Sequence, residues 1–181
     1  MAIALDSSTH YQYTPYDTTV TYTYAHTVSG SNRILWVGAC THTTKTITGV
    51  TYNGVSMTKA TDKTSGAYIS LWYLIAPDTG TNNVVVTTDG GIGRFNSDCA
   101  SYTGVKQSAQ PDATNTGGPT NTSSYSQALT TVANNSWSIA NIIGEAAASL
   151  TAGTNTAILF NLEATAFGNG LIHSGTDLAT G

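Results

Sequence analysis

Four histidines, two cysteines and ten carboxylates are the side chains of this 181-residue sequence that could do acid–base, nucleophilic or metal chemistry. Nucleophilic catalysis needs a serine or cysteine beside a histidine that a carboxylate orients. The histidines are His10, His26, His42 and His173, and no G-x-S-x-G elbow accompanies them. Cys40 and His42 stand two apart in an apolar run, so on a strand they would share a face. A packed thiol beside a strand-end histidine accounts for that pair without catalysis. Glycoside hydrolysis needs two carboxylates about 5–10 Å apart in a cleft. The only glutamates, Glu145 and Glu163, flank different expected strands, and most aspartates sit in turns, where Asp supports the backbone through its own side chain. Calcium takes several converging oxygens. Asp112 with Asn115, and Asp89 with Asp98, are the candidate groupings, and solvated turn residues explain both. His and Cys show no zinc-ligand spacing. The expectation is a protein that is not an enzyme and has no cofactor and no metal.

Recognition chemistry is better represented. HYQYTPY carries Tyr11, Tyr13 and Tyr16 in a segment with no clear burial pattern. Exposed tyrosines serve as platforms for sugar rings, and they bring contact area to protein interfaces at low entropy cost. They also cap the end of a core. Tyr11, Tyr13, Tyr16, Asp112 and Asn115 are the candidate ligand or partner contacts.

The elements that would position these residues are strands. Charged residues make up 9% of the chain, against about 25% in an average soluble protein. Threonine is very abundant, and the 10 tyrosines outnumber the 3 phenylalanines. Thr and Tyr suit half-buried pleated surfaces, and the plentiful Gly and Asn suit turns. Thr18 to Val28 alternates, with Val20, Tyr22, Tyr24, His26 and Val28 on one face. Arg33 to Thr41 and Ala67 to Ala76 are apolar runs, read as strands covered on both faces. Between them ITGVTYNGVSMTKA flanks Asn53-Gly54 with short alternations, the strongest short-range hairpin signal. Further strands are expected at Ala2–Asp6, Asn83–Thr88, Arg94–Thr103, Ser123–Thr131, Ser136–Ile143, Thr156–Glu163 and Phe167–His173. Gly104 to Thr122 reads as a long irregular loop, uncommon in a compact domain and often functional. The fold class is all-β: an antiparallel, jelly-roll-like β-sandwich of about 10–12 strands with no substantial helix, forming one domain over residues 1–181. Trp36, Trp72 and Trp137 are expected to fill the core between the sheets, with Cys40 and Cys99 as two buried thiols.

A net charge of -4 with six scattered basic residues argues against nucleic acid. No run of 18 apolar residues announces a membrane helix, and MAIALDSSTH lacks the features of a signal peptide. The low charge has two readings. Hydroxyls and amides solubilise the surface in place of charges, or much of the surface meets other subunits. Synthesis in a cytosol without export then fits a virion component, with an extracellular location as the alternative.

The segments MAIALDSS, SGSNRILWVG, ITGVTYNGVSMTKA, YISLWYLIAPDTGTNNVVVT and ASYTGVKQSAQPDATNT carry a resemblance over nearly the whole chain. It resembles a β-sandwich module found in phage-encoded, bacterial and metagenomic proteins. The resemblance implies a jelly-roll or lectin-like sandwich in a phage structural protein or a secreted adhesive protein, with no catalytic motif to transfer. Such modules usually finish with a last apolar strand after an SGTD-type turn, whereas this sequence stops at Gly181. The departure implies a chain lacking its last C-terminal strand, or a sheet completed by another chain. The expected function is a non-enzymatic virion protein, a capsid decoration or tail-associated component, acting through homo-oligomers or other virion proteins. The alternative is a carbohydrate- or receptor-binding lectin-like module.

Overall fold

The computed structural model describes residues 2–13, 18–91, 94–118, 127–144, 150–151, 153–154, 156–160 and 168–174; within 168–174, Leu171 is the one side chain described. Twelve strands are present among these residues: β1 (Ala4–Tyr13), β2 (Thr21–Val28), β3 (Ile34–Thr41), β4 (Ile47–Tyr52), β5 (Val55–Ser56), β6 (Thr58–Ser65), β7 (Ala67–Ile75), β8 (Gly80–Thr88), β9 (Phe95–Thr103), β10 (Ile139–Gly144), β11 (Thr156–Ile158) and β12 (Gly168–Ser174). They form three antiparallel sheets. The central sheet has the order β1-β9-β3-β7-β6, the front sheet β2-β8-β4-β5, and the back sheet β10-β12-β11.

The pairing is nested. Asn53 and Gly54 take φ of 48° and 77°, the two positive values that a type I′ turn requires, and Tyr52 pairs with Val55 across them. Outward from this tip β3 pairs with β7, β2 with β8, and β1 with β9. The long folded hairpin then rolls up, and β3–β9 and β4–β8 pairing joins it into two sheets. This is the jelly-roll arrangement. At Met57 the chain leaves the front sheet for the central one, with the Met57 N–H bonded to the Val50 carbonyl at 2.9 Å.

Two cores follow from side-chain alternation. Toward the front sheet, Leu35, Val37, Ala39, Trp72, Phe95 and Cys99 pack on Tyr22, Tyr24, Val50, Tyr52, Val84 and Val86. Toward the back sheet, Ile34, Trp36, Leu71, Ala100 and Tyr102 pack on Leu171, with Ile139, Leu159 and Phe160 at the margin. Every residue of β3 is buried, as two covered faces require. Trp72 fills the space between the front and central sheets as expected. Trp36 lies on the opposite face, and Trp137 packs edge-on to Tyr102 there, with 5.8 Å between ring centroids. Cys40 and Cys99 are free and buried; they project from opposite faces of the central sheet, which keeps them from pairing.

Three expectations change. β1 runs on to Tyr13, because β9 offers a full-length edge that reaches Tyr13↔Phe95. β6 is an added strand whose sequence TKATDKTS has no apolar alternation; it lies at a sheet edge and carries Lys59, Asp62 and Lys63, the charges that protect edges from stray pairing. Residues 127–131 of the expected Ser123–Thr131 strand are irregular; the Ala128 carbonyl accepts from Asn115 Nδ2 at 2.7 Å instead of from a ladder. Residues 104–118 contain no strand, as the loop reading requires. The C-terminal residues 175–181, where a missing last strand is expected, lie outside the described residues.

Gly38 sets the distance between the central and back sheets. A Cβ there would stand 2.7 Å from the side-chain amide of Asn141, whose Nδ2 donates to the Ser70 carbonyl at 3.0 Å. Gly38→Ala is expected to lower unfolding stability by about 1–3 kcal/mol through overpacking, and adding Asn141→Ala should recover part of the loss. Urea unfolding followed by tryptophan fluorescence measures both; a Gly38→Ala protein as stable as the parent would contradict this close approach.

Candidate functional site

Among the described residues, His10, His26, Asp6 and Asp98 meet at β9. Its sequence FNSDCASYT carries three polar residues in a row and a fourth three positions later, yet Asn96, Ser97, Asp98 and Ser101 are all buried. Buried polar groups need partners, and β9 finds them on both sides. Toward the front sheet, the Ser97 hydroxyl donates to the Gly38 carbonyl at 3.1 Å and accepts from the Tyr24 hydroxyl at 2.7 Å. Four residues on, Ser101 donates to Asp6 Oδ2 at 2.8 Å, and His26 Nε2 lies 3.2 Å from the Ser101 oxygen. Thr9 Oγ1 lies 2.9 Å from His26 Nδ1. Asp6 also accepts from the Ser29 backbone N–H at 2.8 Å and from the Ser29 hydroxyl. Toward the back sheet, His10 Nδ1 meets Asp98 Oδ1, its direct cross-strand partner, beside the Phe160 ring.

Serine, histidine and aspartate therefore meet, with roles unlike those of a catalytic triad. The Ser101 proton is committed to Asp6, so His26 Nε2 donates to Ser101 and Nδ1 accepts from Thr9. A triad needs the reverse: the carboxylate on the imidazole, and the imidazole free to accept from the serine. Ser101 and His26 are also sealed, at 0% and 1% exposure, so no substrate carbonyl reaches the oxygen. The second carboxylate–imidazole pair, Asp98 with His10, lies on the other face of the central sheet. The seam acts as a structural clamp between β1, β2 and β9.

Burial pushes the His26 imidazole down to about 4, with the Asp6 charge opposing that shift. Burial of Asp6 disfavours its charge, but the hydrogen bonds from Ser29 and Ser101 outweigh this and hold its carboxyl below the usual range. Burial raises the Cys40 thiol well above its ordinary value and pushes Cys99 up to about 12, so neither is a thiolate nucleophile at neutral pH. Cys40 packs with Ala67, Ile69 and Ile143, and β3 ends at Thr41, so strand alternation does not carry His42 onto its face.

The candidate contacts spread over the molecule. Tyr11 stacks on Tyr24 with 5.1 Å between centroids, and Tyr13 meets Tyr22 edge-on at 5.2 Å. Both rings border the front core, so the β1 tyrosines spend their area on packing. Tyr16 lies outside the described residues. Asn115 braces its own loop by accepting from the Thr116 N–H at 2.8 Å while it donates to Ala128; Asp112 is partly exposed in the same loop. Asp89 binds the Thr46 N–H and hydroxyl, while Asp98 lies inside against His10, so the two do not share a site. Among the described residues no three His, Cys, Asp or Glu side chains form a metal-holding group, and no helix is long and apolar enough to cross a membrane. Glu145 and Glu163 lie outside the described residues.

An open groove was not legible in the sequence. Thr51, Asn53, Gly54, Thr81, Asn82, Asn83 and Val85 line a shallow depression of about 380 Å³ beside the hairpin tip. Its polar groups are amides and hydroxyls, and it carries no charge. Asn53 Nδ2 donates to Asp78 at 2.9 Å at its rim. Two strands distant in sequence, β4 and β8, build it together with the Asn53-Gly54 turn, so no local motif could have signalled it. No protein-family model, curated protein or solved structure matches the chain.

The clamp makes stability pH-dependent. The folded state holds His26 neutral down to about pH 4 against an ordinary value of 6.5, so the unfolded chain takes up the proton first. Stability is complete above that ordinary value, falls as pH drops through the window, and loses about 3 kcal/mol by its lower end. The Asp6 contribution is lost at still lower pH. Urea midpoints measured across the window should fall for the parent and stay flat for His26→Gln; equal slopes would assign the acid sensitivity elsewhere.

Proposed function

We propose that this chain is a non-enzymatic structural protein of a virion, a capsid decoration or tail-associated component, that works by associating with copies of itself and with other virion proteins. The observation that carries the reading is the surface: 6 basic and 10 acidic residues among 181. A freely soluble monomer usually relies on charge of both signs for colloidal stability, whereas interface cores are depleted in charge. The burial of Ser101, His26 and Asp98 supports a non-enzymatic role, since their acid–base chemistry is consumed in holding strands together. The jelly-roll sandwich and the resemblance to phage-encoded modules agree with this reading. Sedimentation velocity over a wide concentration range tests it. A discrete ring, a filament or a concentration-driven assembly is the expected outcome, and a strict monomer at every attainable concentration would defeat it.

The uncharged groove favours a second reading, a carbohydrate- or receptor-binding module. Its three asparagines and two threonines offer the paired donors and acceptors that sugar hydroxyls use. A glycan array with the parent and with Thr81→Ala/Asn83→Ala decides: neutral-glycan signals that the double variant loses at least ten-fold support it, and a blank array counts against it.

A further inference from the structure

We propose that the solvent face of the front sheet is a self-association surface, and that its occupant is the same face of a second copy of this chain. The inference rests on the associating role proposed above and names the surface.

Charge points to it first. None of the four front strands carries an Asp, Glu, Lys or Arg. Their solvent face is built from Thr21, Thr23, Ala25 and Thr27 on β2, from Thr81, Asn83, Val85 and Thr87 on β8, and from Thr51 on β4. Charges gather at the two ends of the sheet instead. Asp78 holds Asn53 at the hairpin end, and Asp89 holds Thr46 at the other, with Lys45 packed on Gly90 beside it. A charge-free centre with a charged rim is the layout of a protein interface. The central sheet differs, since its edge strand β6 carries three charged residues.

The chemistry of the face selects a copy of itself. A charged partner would meet no counter-charge there, and an apolar one would strand the hydroxyls. A threonine hydroxyl donates one hydrogen bond and accepts others, so a threonine face can satisfy an identical face. Thr27 and Thr81 already form such a pair within the sheet, at 2.8 Å. A two-fold contact sets the same patch of both copies against each other, so one face can meet itself. Val85 lies in the middle row, opposite both Thr23 and Thr51, and supplies the apolar centre.

Area sets the strength. Strands about 4.8 Å apart and rising about 3.4 Å per residue give this face roughly 400 Å² in plan, before side-chain relief is added. Stable interfaces bury about 800 Å² per partner, so one contact belongs to the weak class.

Charge swapping tests the surface. Thr23→Lys/Asn83→Lys puts two like charges on the face at exposed positions, and Thr23→Glu/Asn83→Glu puts two of the opposite sign. Light scattering on a sizing column should show the parent associating, each variant at least ten-fold weaker, and their equimolar mixture restored. Near-UV circular dichroism checks folding, and Ala25→Lys with Ala25→Glu repeats the test at a single position if either double variant misfolds. A parent that associates together with a lysine variant that associates equally well overturns this surface and leaves the associating role standing. A parent that is monomeric throughout overturns both.

Discussion

Everything in this fold depends on the nested antiparallel pairing that starts at Asn53 and Gly54. The type I′ turn matches the twist of the strands it joins, so β4 and β5 leave it already in register. Each outer pair, β3 with β7, β2 with β8 and β1 with β9, brings together residues progressively farther apart in sequence. Loop-closure entropy opposes each step, and the apolar area that β3, β7 and β9 bury on two faces offsets it. Rolling up the hairpin is what makes β3 and β9 central. That placement then decides which residues are covered twice and which strands remain as edges.

The most demanding consequence falls on β9. Its position between β1 and β3 removes water from a strand with Asn, Ser and Asp in its sequence. Leaving any of those groups without a partner would cost about 1–3 kcal/mol. Residues from elsewhere meet the need: Tyr24 and His26 from the front sheet, and Thr9, His10 and Asp6 from β1. The same atoms that resemble a hydrolytic centre in composition thus tie β1 and β2 together across two sheets. A network of this kind gives specificity of register, because a slip of one residue would send Ser101 and His26 to opposite faces.

The surface completes the logic. Among the described residues, with His26, Ser101 and Asp98 turned inward, the exterior of the strands is threonine and asparagine with a few charges at turns and on the β6 edge. That distribution guards one edge of the central sheet from stray pairing while the broad front face stays neutral. The solvent face of the front sheet carries threonine hydroxyls, Asn83, Ala25 and one central valine, and the groove at the hairpin tip shares the same uncharged character.

Much of the fold was legible in the sequence for local reasons. Tyr22, Tyr24, His26 and Val28 alternate with exposed residues, the period of two that any half-buried strand imposes. Asn53-Gly54 specifies a turn because few other residue pairs accept positive φ twice. The apolar runs of β3 and β7 declare strands covered on both sides. β6 leaves no mark in the sequence because an edge strand needs no apolar alternation, and Tyr11 and Tyr13 carry only a short alternation that Pro15 soon follows. No local pattern could reveal that Ser101, His26 and Asp6 meet, or that Thr51, Asn53 and Asn83 share a groove. Those neighbours are joined by pairings between strands dozens of residues apart. The chain by itself determined the position of the strongly alternating and apolar strands, the turn type and a sparsely charged composition, since these arise within a few residues of backbone. Only the tertiary structure decided which strand became central, which polar groups were sealed and which face stayed open, because burial belongs to whole sheets once they have packed.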